Sequence, residues 1–431
     1  MTEPATVSPL QQRHNMTAGV ASGMLVRLFS ALTDPSLVLP WFVSQLGASP
    51  FVIGLLVPIA NGGWFLPQLF VLRLMRNRPR KMPLYRAMAV VRVVCWALLT
   101  ASVFIIGDRR PGLLLFLFML FYTAFSLGAG VAGLPFMDIV GKAIPPRERG
   151  LFFAWREFTG GLLALVGSAL VRYVLDARHG VAFPGNFGLL FALGGVAAVV
   201  SYIAFILVKE PDEPLGLGVD DVHPSLRTIV ALLRRDHNYA VFVGARILAL
   251  TATVSLPFYS VFAMNALGAP LAMAGTYLAA YTLAGLGSTL LWGRLSRSQG
   301  NRAVVVWATL LWIPLPVLPL LGPHISHQAF TLAFVILGAG VIGADVGFLS
   351  LLLDIAPATE RPLYVGLINT VLGVVCLLLV AGGWVVQQWG MNALFVLSLV
   401  CAAAALACVL RVRDPARAEV SDSSIDDPTL A

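Results

Sequence analysis

Several ionisable residues interrupt long apolar runs in this chain: Arg27, Asp34, Arg246 and Asp345, and, nearer the ends of their runs, Arg92, Arg156 and Glu157, for which packing or gate ion pairs are the expected role. A charge at the centre of a bilayer costs at least roughly 2.5 to 3.5 kcal/mol on insertion scales, so residues of this kind are expected to face a polar path and to have a function. Arg27 and Asp34 are seven residues apart, which on a continuous helix places them two turns apart on one face. Asp34 also opens Asp34-Pro35-Ser36, where the proline loosens a helix. Such a pair could hold a polar solute or a proton, and the alternative is a structural contact between helices. Arg246 follows Arg27 by 219 residues. Two arginines facing one cavity suit an anionic or carboxylate-bearing ligand, although either side chain could instead snorkel to the membrane surface. Asp345 lies in GAGVIGADVGF, where small residues allow close helix packing. A carboxyl group there can take up and release a proton, which makes Asp345, with Asp34, a candidate for proton coupling.

These residues are positioned by apolar segments that dominate the chain. Of 431 residues, 58% are hydrophobic and 12% charged, against roughly 25% charged in soluble domains. So few charges cannot cover a water-exposed surface. Apolar runs of about 20 residues, enough to cross a hydrocarbon core, recur along nearly the whole sequence. Twelve spans are predicted, near 18–44, 51–72, 83–106, 112–137, 151–173 and 187–208, then 239–264, 270–292, 302–321, 329–353, 362–386 and 391–410. The fold class is therefore all-α membrane protein with twelve transmembrane helices in two pseudo-symmetric six-helix bundles. The domains are 1–208, a cytoplasmic linker over 209–237, 238–412, and a cytoplasmic tail over 413–431 whose composition predicts disorder. Within the linker, 226–233 has the pattern of a short amphipathic helix.

Lys and Arg concentrate in alternate loops, notably 73–86, 142–149, 227–235 and 294–302, while Arg109, Arg110 and Arg178 fall opposite. By the positive-inside rule both termini are cytoplasmic, and the formal charge of +8 reports topology rather than nucleic-acid binding. The expected location is the cell membrane, with the bilayer and a small-molecule substrate as partners, protons as a coupling partner, and a monomer as the expected state. The polar stretch 1–15 leads into a span too long for a cleaved signal peptide. Cys95, Cys376, Cys401 and Cys408 fall inside spans, which suggests neither disulfides nor a zinc site. No metal and no cofactor is expected. The closest histidines, His324 and His327, lie in a loop, where they could bind a metal but are more commonly just solvated.

An internal repeat gives the organisation. LGASP ends at Pro50 and LGAP at Pro270, 220 residues on. Asp138 with Glu148-Arg149 is echoed by Asp354 with Glu360-Arg361, and the loop around Arg73 and Arg76 by that around Arg294 and Arg297. The chain thus reads as a duplicated six-helix unit. Asp138 and Asp354 end the two copies of the fourth helix, close to these basic loops. Asp138, Asp354, Glu148 and Glu360 are accordingly candidate gating acids, with Arg73, Arg76, Arg294 and Arg297 as their basic counterparts.

With this repeat the chain resembles the major facilitator superfamily over residues 15–412. That family's loop signature, G-x-L-x-D-R-x-G-R-R, is matched by Gly293, Leu295, Gly300 and Arg302. The signature's acidic position is held by Arg297, and by Arg76 in the first half, so the family's cytoplasmic latch is not carried over. The resemblance implies alternating access around a midplane site lined by the first, fourth, seventh and tenth helices. On those helices Trp41, Tyr122, Phe258 and Tyr259 are candidate aromatic contacts for an apolar ligand, core packing being the commoner role for any one of them. The family's antiporters resemble G-x-x-x-G-P-x-x-G-G in the fifth helix, whereas this chain has Gly160, Gly161 and Gly167 without the proline. Neither direction of transport nor substrate follows from the resemblance. Two other classes are weighed: a transporter-like receptor or assembly factor, and a membrane-embedded enzyme. No phosphate-binding loop, GxSxG or paired-carboxylate pattern supports the enzyme.

Overall fold

The computed structural model describes residues 9–65, 67, 71, 74, 75, 79–211, 226–357 and 360–413. Arg73, Arg76, residues 212–225 of the linker and the tail beyond Arg413 therefore lie outside the described residues. Among the described residues every regular element is helical. They comprise α1 (Pro9–Leu32), α2 (Leu39–Gln45), α3 (Pro50–Gly54), α4 (Leu56–Phe65), α5 (Met82–Ile106), α6 (Pro111–Ala143), α7 (Pro146–Val174) and α8 (Gly185–Ile206). Then come α9 (Leu226–Arg235), α10 (His237–Ala252), α11 (Leu256–Asn265), α12 (Met273–Gln299), α13 (Asn301–Trp312), α14 (Pro314–Leu320), α15 (Thr331–Ile355), α16 (Arg361–Leu378) and α17 (Ala381–Arg411). Eight helical segments are long and apolar enough to cross a membrane, and Pro50–Trp64 and Leu363–Leu378 are shorter apolar helices.

Local chemistry explains the breaks. Asp34 accepts the backbone N–H groups of Ser36 (2.8 Å) and Leu37 (2.9 Å) on Oδ1, so a carboxylate-capped turn replaces helix after Leu32. The Arg27–Asp34 expectation needs correction on this point. The helix has ended before Asp34, and the two do not share a helical face. The corresponding break in the second half is the 3-10 turn Thr253–Ser255 before Pro257. Gly47 and Gly268, the glycines of the repeated LGASP and LGAP turns, have φ of +79° and +62°. Both turns demand left-handed backbone, which glycine adopts without a Cβ penalty. Gly390, at φ +80°, divides α17 and so separates 381–389 from 391–411.

The chain divides into two compact units, Met1–Asp220 with Pro257–Thr282, and Asp221–Leu256 with Leu283–Ala431. In the first, α1 packs on α7 and α8, and α5 on α6 and α8; in the second, α10 packs on α16 and α17, and α13 on α15 and α17. Equivalent helices thus meet in both. Each unit also closes its first helix onto its last with an asparagine. Asn15 Nδ2 donates to Lys209 O (3.2 Å) while its Oδ1 accepts Lys209 N–H (2.9 Å). Asn238 does the same with Arg413, at 3.1 and 2.8 Å. Serine pairs bridge the same helices: Ser22 with Ser201 (3.1 Å) and Ser255 with Ser398 (2.9 Å). Buried hydroxyls and amides in apolar surroundings must find partners, and here they find one another.

Candidate functional site

Each unit carries one acid–base pair within its apolar helices. In the first, the Arg27 guanidinium on α1 binds Glu157 of α7, with side chains 49% and 56% exposed. In the second, Arg246 on α10 lies 3.4 Å from Asp345 of α15, with exposures of 21% and 63%. Charges are costly in hydrocarbon, so exposed ion pairs on such helices are expected to face a polar path.

The first pair is built by close helix packing. A Cβ at Gly160 would stand 2.6 Å from the Arg27 Cγ, so glycine opens the notch in which that side chain lies. Gly23 on α1 opens the matching notch for the stem of Arg156. Arg156 Nη1 donates to Gly19 O at 3.1 Å, and its guanidinium covers the Phe136 ring at 4.8 Å. The second pair is built differently. Arg246 sits over Phe348 at 4.7 Å, a cation–π contact one turn beyond Asp345. The glycines around Asp345 admit tryptophans: a Cβ at Gly343 would meet Trp292 Cε2 at 2.6 Å, and one at Gly340 would meet Trp312 Nε1 at 2.6 Å. Trp292 Nε1 donates to Ala339 O at 3.0 Å.

The aromatic candidates Trp41, Tyr122, Phe258 and Tyr259 are all buried. Trp41 Nε1 donates to Ser260 O (2.6 Å) and Tyr122 Oη to Leu56 O (3.2 Å), so both are fixed by polar as well as apolar contacts.

Among the described residues, three of the gating acids, Asp138, Asp354 and Glu360, have partners, while Arg73 and Arg76 lie outside those residues. Asp138 binds Lys142 of its own helix at 2.7 Å, and Lys142 also approaches Glu210 at 3.7 Å. Glu210 in turn accepts the backbone N–H groups of Lys81 and Met82, both at 2.8 Å, capping α5. Asp354 accepts from Asn301 (2.7 Å), which accepts from Ser296 (2.6 Å). Arg294 is exposed, and Arg297 donates within its own helix to Gly293 O at 3.3 Å. Both arginines lie in the last two turns of α12. Glu148 stands in the first turn of α7, where the helix dipole favours an acid. Glu360 pairs with Arg235. In the loop after α7, hydrogen bonds from Arg178 hold the Asp176 carboxyl well below the usual carboxylate range.

Sequence reading took Glu157 as an ion-pair residue but did not give Arg27 as its partner, because spacing along one helix carries no information about the register of the next. It also missed the asparagine clamps, for which a signal existed. His14-Asn15 recurs as His237-Asn238.

Apolar spanning helices with accessible internal ion pairs define the class as a polytopic membrane protein of transporter fold. The Major Facilitator Superfamily model matches residues 241–430. Solved structures similar in fold include a bacterial homologue of the iron transporter ferroportin in an inward-facing state, at 16% identity and TM-score 0.68, covering 94% of this chain and 99% of that one. A D-xylose-proton symporter is similar at 16% identity and TM-score 0.65, with coverages of 91% and 97%. The nucleoside transporter NupG, in a mutant form, is similar at 14% identity and TM-score 0.64, with coverages of 92% and 98%. No curated protein matches. At these identities the likenesses speak for fold. The family match covers the second part of the chain, residues 241–430, and with these likenesses it supports a transporter of that fold, of no identified subfamily.

Proposed function

We propose that this chain is a secondary active transporter that moves a small solute across the cell membrane by alternating access, coupled to protons. The observation that carries the reading is the accessibility of both intramembrane pairs, Arg27–Glu157 and Arg246–Asp345. A receptor or scaffold with no solute to pass has no need of wet charges at that depth, where each is costly to insert. Asp345 is the more exposed partner of the looser pair, which suits it to exchange a proton and release Arg246. Asp34, whose carboxylate caps the break in the first span, is the second proton candidate.

Twelve spans are supported by the eight long apolar segments together with Pro50–Trp64, Leu363–Leu378, α1 and α12. Arg13 and Arg27 depress the hydropathy of α1, and Arg294 and Arg297 that of α12. In this reading residues 1–208 and 238–412 form two six-helix bundles joined by the 209–237 linker, with both termini cytoplasmic and the monomer as the working form.

The test is transport in proteoliposomes loaded with a pH-sensitive dye and offered metabolites in turn. A saturable solute-dependent pH change, abolished by Asp345→Asn, is the expected result. Absence of solute movement with or without a proton gradient, for protein that binds a solute, would overturn the reading.

A further inference from the structure

The seam between α1 and α7 is a parallel ladder with constant register. Gly19 faces Phe152, Gly23 faces Arg156 and Gly160 faces Arg27, each residue of α7 being 133 positions beyond its partner. Glycine and arginine thus alternate across two successive turns. Each arginine stem crosses the seam over a glycine and leans back one turn toward its own N-terminus, as helical side chains do. Arg27 reaches Glu157 in this way, and Arg156 reaches Gly19 O. The two guanidiniums consequently lie about one turn, roughly 5.4 Å, apart along the helices.

Their charge is not balanced. Arg156 interacts electrostatically with both Glu157 and Arg27, so one carboxylate serves two guanidiniums. Among the described residues, the hydrogen bond that engages Arg156 goes to a neutral carbonyl. A guanidinium has five N–H donors in a fixed fork that matches carboxylate and phosphate oxygens. In a membrane span such a surplus calls for an anion.

We propose, resting on the transporter reading, that the solute is an oxyanion seated on Arg27 and Arg156, and that Glu157 is the internal occupant it displaces. Without solute, Glu157 keeps Arg27 paired. An arriving oxyanion takes Arg27 from Glu157 and shares its charge with Arg156, and the glycine notches fix both forks. Carboxylates and phosphates share this chemistry.

The experiment measures the thermal midpoint of the purified full-length protein in detergent against succinate, citrate, inorganic phosphate, glucose and choline. A ligand that binds the native state raises the midpoint with concentration. At least one of the three oxyanions is expected to do so, and glucose and choline are not; which oxyanion acts separates carboxylate from phosphate. Glu157→Gln, which removes the competitor, is expected to lower the half-saturating concentration at least threefold. Arg156→Gln should raise it at least tenfold, with partial recovery in Arg156→Lys. No stabilisation by any oxyanion, or weaker oxyanion binding in Glu157→Gln, would overturn the proposal, and the second result decides even if Arg156→Gln fails to fold. Proteoliposome flux separates the two readings. Oxyanion binding with these variant effects but no flux sinks the transporter and leaves the site. Flux of a neutral solute undiminished by Arg156→Gln sinks the site and leaves the transporter.

Discussion

The two intramembrane ion pairs occupy comparable places in the repeat yet are built on different principles. Arg27 lies in a glycine notch, pairs with Glu157 and has a second arginine about one turn away. Arg246 rests on Phe348 and meets Asp345 only at 3.4 Å, and among the described residues no matching seam places a second cation beside it. Gly244, near Arg246 on the same helix, has nothing within 4 Å of its would-be Cβ. The depths differ as well. Arg27 is twelve residues beyond the Asn15 clamp and Arg246 eight beyond the Asn238 clamp, a difference of about 6 Å along a helix. The two units thus share helix contacts and asparagine clamps but differ in their charges. The first unit holds surplus positive charge rigidly, which suits binding. The second holds a neutral, loose pair with an exposed acid, which suits proton exchange.

The sharpest way to break this contrast is to exchange losses. Arg27→Ala is expected to cut solute transport at least tenfold at every pH. Asp345→Asn should leave solute binding near the native value while removing the pH dependence of transport. Initial rates between pH 5.5 and 8 distinguish the two, and identical profiles for both variants would erase the distinction. Next in size is packing. Gly23→Leu or Gly160→Leu inserts a side chain where an arginine stem lies, an overpacking that costs about 1 to 3 kcal/mol. Their thermal midpoints should fall clearly, whereas Gly244→Ala, in open space, should not lower it. Smaller still are the clamps. Asn15→Ala loses three hydrogen bonds to backbone, two to Lys209 and a longer one to Ala143 O, and Asn238→Ala loses two, each worth about 1 kcal/mol, so both should lower the midpoint modestly and Asn15→Ala somewhat more. Smallest is Arg235→Ala, which removes an exposed pair to Glu360 and should change the midpoint by no more than about 1 kcal/mol allows.

How far these features were legible follows from what kind of information each needs. Spans are set by local hydropathy, so most predicted segments fall on observed helices, though 18–44 is broken after Leu32, 362–386 is divided between α16 and α17, and 51–72 lies partly outside the described residues. The ends were misjudged where helices run past the membrane. α6 has 33 residues, about 50 Å of helix, and its last turns carry Asp138 and Lys142 beyond the apolar stretch. α1 starts at Pro9, well before the apolar run, because Asn15 is anchored to the end of α8 through Lys209. Asp34 was legible as functional in type but not in placement. A spacing of seven means one face only if the helix continues, and the carboxylate itself ends it by capping Ser36 and Leu37. The Arg27–Glu157 pair needed the register of α1 against α7, fixed by Gly23 and Gly160, which no spacing within one helix reveals. Asp354, expected to meet a loop arginine, accepts from Asn301, and Asp138 pairs with Lys142 of its own helix, while Arg73 and Arg76 lie outside the described residues.

Everything proposed for this chain depends on water reaching the ion pairs inside the membrane, and that can be measured without knowing the solute. In a background with Cys95, Cys376, Cys401 and Cys408 replaced, single cysteines at Glu157 and Asp345 are compared with ones at Val166 and Leu332. Val166 lies nine residues beyond Glu157, half a revolution around α7 at about 100° per residue, and it is exposed as a lipid-facing residue would be. A charged, membrane-impermeant thiol reagent applied to the protein in liposomes should label Glu157→Cys and Asp345→Cys at least tenfold faster than Val166→Cys and Leu332→Cys. Equal, slow labelling at all four positions would place the pairs in lipid or packed protein and contradict the transport pathway.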